Sequence, residues 1–146
     1  MRAARGSRGF TLVEVAVTLG IFGLLLAISV PSLLGVNETH QLQGAAENLA
    51  GQLRLARETA IGTGQTQTMH FAMNDPSGTT WDYHIHNGGT AGPGWSLPSG
   101  ISYYTVTVNP TFGTDGRASS SGMIVLQNAR GERDTVSLQV SGLVSQ

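Results

Sequence analysis

One carboxylate inside an apolar run is the most chemically pointed feature of this 146-residue sequence. Glu14 lies four positions into a run that begins at Phe10, and from Val15 to Val36 no side chain carries a charge. A carboxylate deep in a bilayer costs on the order of 2.5–3.5 kcal/mol. It offers nothing to an export signal or a plain anchor, but it can pair with a cation supplied by a second subunit. The other candidate groupings are weaker. His84-x-His86 sets two imidazoles on one strand face, a spacing that can ligate zinc, and His70 could join them. No carboxylate or Cys is spaced alongside, so the expectation is polar residues on a solvent face and no metal site. Ser119-Ser120-Ser121 has no placed base to make a nucleophile and reads as a turn. Asp115-Gly116 and Asn74-Asp75 are turn chemistry, of a kind that binds Ca2+ weakly at best. Trp81 and Trp95 are expected to be core or loop-packing residues rather than a sugar platform. With no paired carboxylates at catalytic spacing, the expectation is no catalytic residue, no cofactor and no enzyme.

The element that must carry Glu14 is an apolar helix. The 22 residues from Val15 to Val36, at about 1.5 Å each, span roughly 33 Å, enough for a bilayer core. Arg2, Arg5 and Arg8 precede the run, and no basic residue follows until Arg54. The positive-inside rule then keeps the N-terminus in the cytoplasm and sends the remainder across. By these features alone, a secretory signal and a single-span anchor both fit. Gly20, Gly23 and Pro31 fall inside the run. Pro31 removes a backbone donor and tends to kink or unwind a helix, whereas glycine and proline are also simply commoner in membrane helices.

Beyond Val36 the pattern becomes amphipathic. Leu42, Ala45, Ala46, Leu49, Leu53, Ala56 and Ala60 recur at three- and four-residue steps, with Gln43, Glu47, Gln52, Arg54 and Glu58 on the other faces. Gly62 is the expected left-handed stop. From Gln65 the period changes to two. Gln67, Met69, Phe71 and Met73 alternate with polar or small residues, and Trp81, Tyr83 and Ile85 alternate with Asp82, His84 and His86. Asn74 to Gly78 is a turn sequence, and Asn87-Gly88-Gly89 opens a Gly/Pro loop that is expected to last to Gly100. Ile101–Val108, Met123–Gln127 and Thr135–Val140 are three further strands, the last two joined through residues 128–131. No helix-period segment intervenes, so the sheet should be mainly antiparallel. The expected fold is α+β, a long N-terminal helix whose first half spans a membrane and whose amphipathic second half packs on a C-terminal sheet. The divisions expected are a basic leader at 1–9, an apolar helix at 10–36, an amphipathic helix at 37–62 and a β domain at 63–146.

Arg8-Gly9-Phe10-Thr11-Leu12-Val13-Glu14-Val15 resembles the prepilin peptidase site of type IV pilins and of the pseudopilins of type II secretion. That pattern is a short basic leader ending in Gly, then Phe-Thr-Leu-(Val/Ile)-Glu and an apolar helix, and every element is matched. The resemblance implies cleavage between Gly9 and Phe10, N-methylation of Phe10, and a Glu14 that faces the terminal amine of a neighbouring subunit. An ammonium and a carboxylate brought together in a low-dielectric core offset each other's desolvation, while either alone is penalised. The remainder is similar to the GspH/FimT-like minor pseudopilins. Leu53 to Ile61 matches their Leu-x-x-Ala-Arg-x-x-Ala-Ile, Phe112 to Gly116 their Phe-x-x-x-Gly, Gly122 to Leu126 their Gly-x-Ile-x-Leu, and Ser141 to Val144 their Ser-Gly-x-Val. Members of this group that bind DNA carry basic residues after the closing Gly, where this chain has Leu143-Val144-Ser145-Gln146.

Charge points the same way. All eight basic residues are arginine, and three of them lie within the first eight positions. The other five face nine Asp and Glu, a balance of -4, so the body of the chain repels phosphate and DNA is not the expected partner. The absence of cysteine excludes disulfides and thiolate metal sites. The resemblance implies a single-pass subunit of the bacterial inner membrane, with its C-terminal domain periplasmic, that later enters a filament. Its partners would be other pilins or pseudopilins, the prepilin peptidase and secreted cargo. The rival readings are a minor type IV pilin for DNA uptake or adhesion, and a membrane-tethered periplasmic enzyme.

Overall fold

The computed structural model describes residues 10–74 and 80–146, the side chains of 30–36 excepted. The chain divides into two compact units, residues 1–37 and 38–146.

One helix, α1 (Leu12–Thr63), contributes to both units. Its helical backbone continues through Gly20, Gly23 and Pro31 without a break. In the first unit the described side chains of the helix are all exposed. The 18-residue stretch Leu12–Ser29 is long and apolar enough to cross a membrane, has a mean hydropathy of 2.3 and is 0% buried within the chain. The core helix of a soluble fold would instead be mostly buried.

In the second unit, α1 supplies one side of a core. Leu42, Ala45, Ala46, Leu49, Ala50, Leu53, Ala56 and Ala60 are all buried, which is the expected stripe with Ala50 added. Small residues at most of these positions let the helix lie close to the strands, and each buried leucine contributes about 1.5–3 kcal/mol. The left-handed stop falls two residues later than the Gly62 expected from sequence. Gly64, at φ 65°, is the left-handed residue and its N–H bonds the Ala60 carbonyl at 3.1 Å, while Gly62 is helical.

Two four-stranded sheets complete the unit, where the sequence suggested one. The first runs β3 (Thr90–Trp95), β2 (Tyr83–Asn87), β1 (Gln67–Phe71), β5 (Thr111–Phe112). The second runs β4 (Ile101–Val106), β6 (Gly122–Asn128), β7 (Arg133–Leu138), β8 (Val144–Ser145). Every strand pairing is antiparallel, as expected. The stretch expected to be a Gly/Pro loop from Asn87 to Gly100 instead contains β3. Its two-residue turn is Gly88-Gly89, with φ of 55° and 92°, the sign that a tight primed hairpin turn requires. Met73, expected at the end of a strand, is exposed in the turn beyond β1. Met69, Phe71, Phe112, Ile124, Leu126, Val136 and Leu138 meet the helix stripe in one core.

Candidate functional site

The head of α1 is built from three consecutive roles. Thr11 is the N-cap, and its hydroxyl accepts the Glu14 N–H at 3.2 Å. Glu14 reaches back, and its Oε2 accepts the Thr11 N–H at 2.9 Å and the Thr11 hydroxyl at 3.0 Å. This reciprocal Thr-x-x-Glu arrangement satisfies two backbone donors that a helix start otherwise leaves open. It also sets a negative charge over the positive end of the helix dipole. Phe10 precedes the cap and is 84% exposed, and Leu12, Val13 and Val15 are exposed around it. The carboxylate is therefore held in a fixed place by its own neighbour, at the edge of an apolar surface that no described residue covers. Gly9, the expected cleavage residue, lies outside the described residues.

A second constellation lies at the other end of α1, and there the scattered sequence pieces converge. Arg57 Nε donates to the Gly116 carbonyl at 2.8 Å, and Arg54 Nη2 donates to the Val144 carbonyl at 3.2 Å. Gly142, at φ 80°, closes the same spot. A Cβ there would meet the Gly116 carbonyl oxygen at 2.1 Å and Arg57 Nε at 2.7 Å. Gly116, at φ 75°, is also left-handed, and a Cβ there would meet the movable end of a side chain, Ile61 Cδ1, at 2.6 Å. Helix residues 53–61, the Phe112–Gly116 segment and the closing Ser141–Val144 thus form one staple. Arg54 and Arg57 read from sequence as helix polarity and part of a motif. Their bonds to carbonyls more than fifty positions away were not legible from spacing. A third lock holds the opposite end of the amphipathic segment. Thr39 donates to Glu132 Oε2 at 2.9 Å, Asn128 Nδ2 donates to the same oxygen at 2.7 Å, and Arg130 Nε pairs with Glu38 at 2.7 Å. The bonds from Thr39, then Asn128, and the charge of Arg130 hold Glu132 below the usual carboxylate range.

The histidines correct one expectation. His84 is not on a solvent face but buried, 6% exposed, with the Trp81 ring edge-on at 3.7 Å between centroids. His70 sits opposite it in the β1–β2 register, and the rings of His70, His84 and His86 gather within 4.5–5.2 Å of one another. Among the described residues no group of three or more His, Asp or Glu has an arrangement that could hold a metal ion. Trp95 packs against the core, stacked on Tyr83, and Trp81 is half-buried. The Ser119 hydroxyl accepts the Thr111 N–H at 3.3 Å and Asp115 Oδ1 accepts the Arg117 N–H at 3.1 Å, so both belong to turns. Asn74 donates to Asn109 at 3.2 Å, and Asp75 to Gly78 lie outside the described residues.

Comparison with known families covers nearly the whole chain. Residues 45–143 match the family model described as type II transport protein GspH, and residues 4–30 match the prokaryotic N-terminal methylation motif. No curated protein and no solved structure matches the chain.

Proposed function

Since the chain belongs to the GspH family of type II transport proteins, we propose that this subunit of the type II secretion and type IV pilus class works as a minor pseudopilin. It is inserted in the inner membrane through residues 10–36, with its N-terminus cytoplasmic and the 38–146 unit periplasmic. The prepilin peptidase removes residues 1–9 and Phe10 is N-methylated. The helix then leaves the bilayer to pack among other pilins or pseudopilins, and the exported domain meets secreted cargo. The observation that carries this reading is the exposed apolar helix with a hydrogen-bonded carboxylate at its head. Among the described residues Thr11 orients Glu14 with neutral donors, and no described cation balances its charge. A neighbour's Phe10 ammonium supplies the balance when both enter a water-poor filament core.

The same residues speak against a DNA-uptake pilin. Of the five arginines in the 38–146 unit, Arg54 and Arg57 bond carbonyls, Arg130 pairs with Glu38 and Arg133 lies 3.4 Å over the Tyr104 ring. The unit sets these five arginines against eight Asp and Glu, so its net charge opposes the approach of phosphate.

Co-expression with a prepilin peptidase tests the reading. Intact mass should show a mature chain that begins at Phe10, and Gly9→Ala should prevent it. Cleavage near Ala27 to Pro31 instead would identify an ordinary signal peptide and end the proposal.

A further inference from the structure

Of the chain's asparagines, Asn87 alone is followed by glycine. Glycine has no side chain to crowd its own nitrogen, so this is the junction where an asparagine side chain is most open to attack by the next backbone amide. Asn87 is also exposed, at the end of β2 where Gly88-Gly89 turns the chain into β3. By residue order and exposure, it is the position where the chain should lose a side-chain amide to hydrolysis. The pairing around it opposes that reaction.

Both reacting groups are engaged. The Gly88 N–H, whose nitrogen would attack, donates to the Thr66 carbonyl at 3.0 Å. Asn87 Oδ1 accepts from Gln67 Nε2 at 2.8 Å. Gln67 is 2% exposed and lies directly opposite Asn87 in the β1–β2 register, so its carboxamide is held by its surroundings. On the other side Asn87 pairs with Thr90 of β3. Attack would close a five-membered ring, and that ring needs the Asn87–Gly88 peptide plane turned well away from the extended geometry of a strand. The turn breaks the Thr66 bond. It also needs Asn87 Cγ brought over the Gly88 nitrogen, which breaks the Gln67 bond.

The reaction needs only water. A solvent base takes the Gly88 amide proton, the nitrogen bonds to Asn87 Cγ, and the Cγ–Nδ2 bond breaks as ammonia leaves with a proton. Water then opens the cyclic imide. Cleavage between the nitrogen and the former side-chain carbonyl gives aspartate. Cleavage between the nitrogen and the main-chain carbonyl gives isoaspartate, whose backbone runs through Cβ and is one carbon longer. Either product adds a negative charge at the end of β2. Isoaspartate also lengthens a two-residue hairpin connection, whose register depends on its length, so the Asn87–Thr90 pair is displaced.

We propose that Asn87-Gly88 is a latent deamidation site that reacts only when the β1–β2 pairing opens, so that acid at position 87 records which subunits have spent time with this sheet undone. The rate in the folded chain is then the rate of the open junction multiplied by the fraction of time that the Thr66–Gly88 end of the sheet is open. The step is one-way, because the ammonia is lost. The proposal rests on the β1–β2–β3 hairpins alone and does not depend on how the N-terminal helix assembles.

The test incubates the full chain in detergent at mildly alkaline pH, beside a synthetic peptide of residues 83–91 as the unpaired reference. Peptide mapping by mass spectrometry follows conversion at Asn87, and chromatography separates aspartate from isoaspartate. The folded chain should convert about a hundredfold more slowly than the peptide, the factor that an opening cost of about 2.8 kcal/mol imposes. Gln67→Met keeps a similar volume and removes the amide. It should speed conversion in the folded chain about tenfold, or about 1.4 kcal/mol, with unchanged far-UV circular dichroism. Hydrogen exchange on wild type supplies a check that needs no variant, and the Gly88 N–H should be protected. If Gln67→Met misfolds, the two wild-type measurements decide alone. The proposal is overturned if the folded chain converts at Asn87 as fast as the peptide, if folded Gln67→Met converts no faster than wild type, or if the Gly88 N–H exchanges like an unbonded amide.

Discussion

The two units of this chain solve opposite problems. Residues 10–37 carry long apolar side chains, from Phe10 to Ile28, that are exposed, and hold themselves by helix hydrogen bonds and one capping box. The 38–146 unit buries its apolar side chains in a single core and then locks both ends of its helical segment with polar bonds to distant loops. A helix alone satisfies its backbone anywhere, including in lipid, so the first unit needs partners only for its side chains. A small sheet cannot bury enough by itself, and the second unit needs the helix stripe. Substitutions of one type should therefore be felt by the fold in one unit and only by assembly in the other.

The largest contrast is expected at glycine. Gly142→Val combines a left-handed backbone with a Cβ that would strike the Gly116 carbonyl, so the folded domain should lose about 4 kcal/mol or more. Gly20→Val, in the first unit and with nothing within 4 Å of the added Cβ, should leave the melt unchanged within about 0.5 kcal/mol. Denaturant melts of the full chain in detergent separate the two, and equal costs would mean that the Gly142 staple is not tightly packed. Core leucine comes next. Leu53→Ala, at a fully buried position, should cost about 3 kcal/mol. Leu24→Ala, at 65% exposure, should leave the melt unchanged within about 0.5 kcal/mol.

Arg57→Ala should follow at about 1–2 kcal/mol, since the Gly116 carbonyl loses a charged donor. Arg57→Lys recovers only part of this, because a lysine has no Nε–H set at that angle. The smallest effect belongs to Glu132. Its carboxyl is held below the ordinary carboxylate range in the folded chain, so its contribution is complete above the ordinary range and fades as the pH falls through the lowered folded value. Glu132→Gln should flatten that acid limb slightly and leave the melting temperature at neutral pH little changed. A steeper acid limb in the variant would contradict the assignment.

What could be read from residue order divides along the same line. The head of α1 is a run of local relations, with Thr11 capping Glu14 three residues later, and local relations are visible in sequence. The buried stripe from Leu42 to Ala60 is also local, and its period gave it away. The split into two sheets was not visible. It depends on pairings such as Gln67 with Phe112, across more than forty residues, that no periodicity encodes. β3 was hidden because its sequence, Thr-Ala-Gly-Pro-Gly-Trp, is poor in strand formers. It forms because Gly88-Gly89 turns the chain and β2 offers an edge. His84 was placed outside by alternation, yet Trp81 covers it from two positions short of β2. The GspH-like pieces were legible as words, but their meaning as a staple required Arg57, Gly116 and Gly142 to be seen together.

The claim that joins both units is that Glu14 is an assembly contact rather than only a helix cap. Glu14→Val removes the carboxylate and makes the helix more apolar, so membrane insertion should be as good as in wild type or better. Cleavage between Gly9 and Phe10 should continue, since that junction is unaltered. The measurement is the fraction of processed subunit recovered in sheared filaments, beside the same subunit in the membrane fraction. The account predicts full membrane recovery with a marked loss from filaments, because a neighbour's Phe10 amine is desolvated without its countercharge. Glu14→Gln should share that loss, even though its amide oxygen can still accept from the Thr11 N–H. If Glu14→Val is inserted, processed and found in filaments at the wild-type level, Glu14 only caps its own helix and the central claim is wrong.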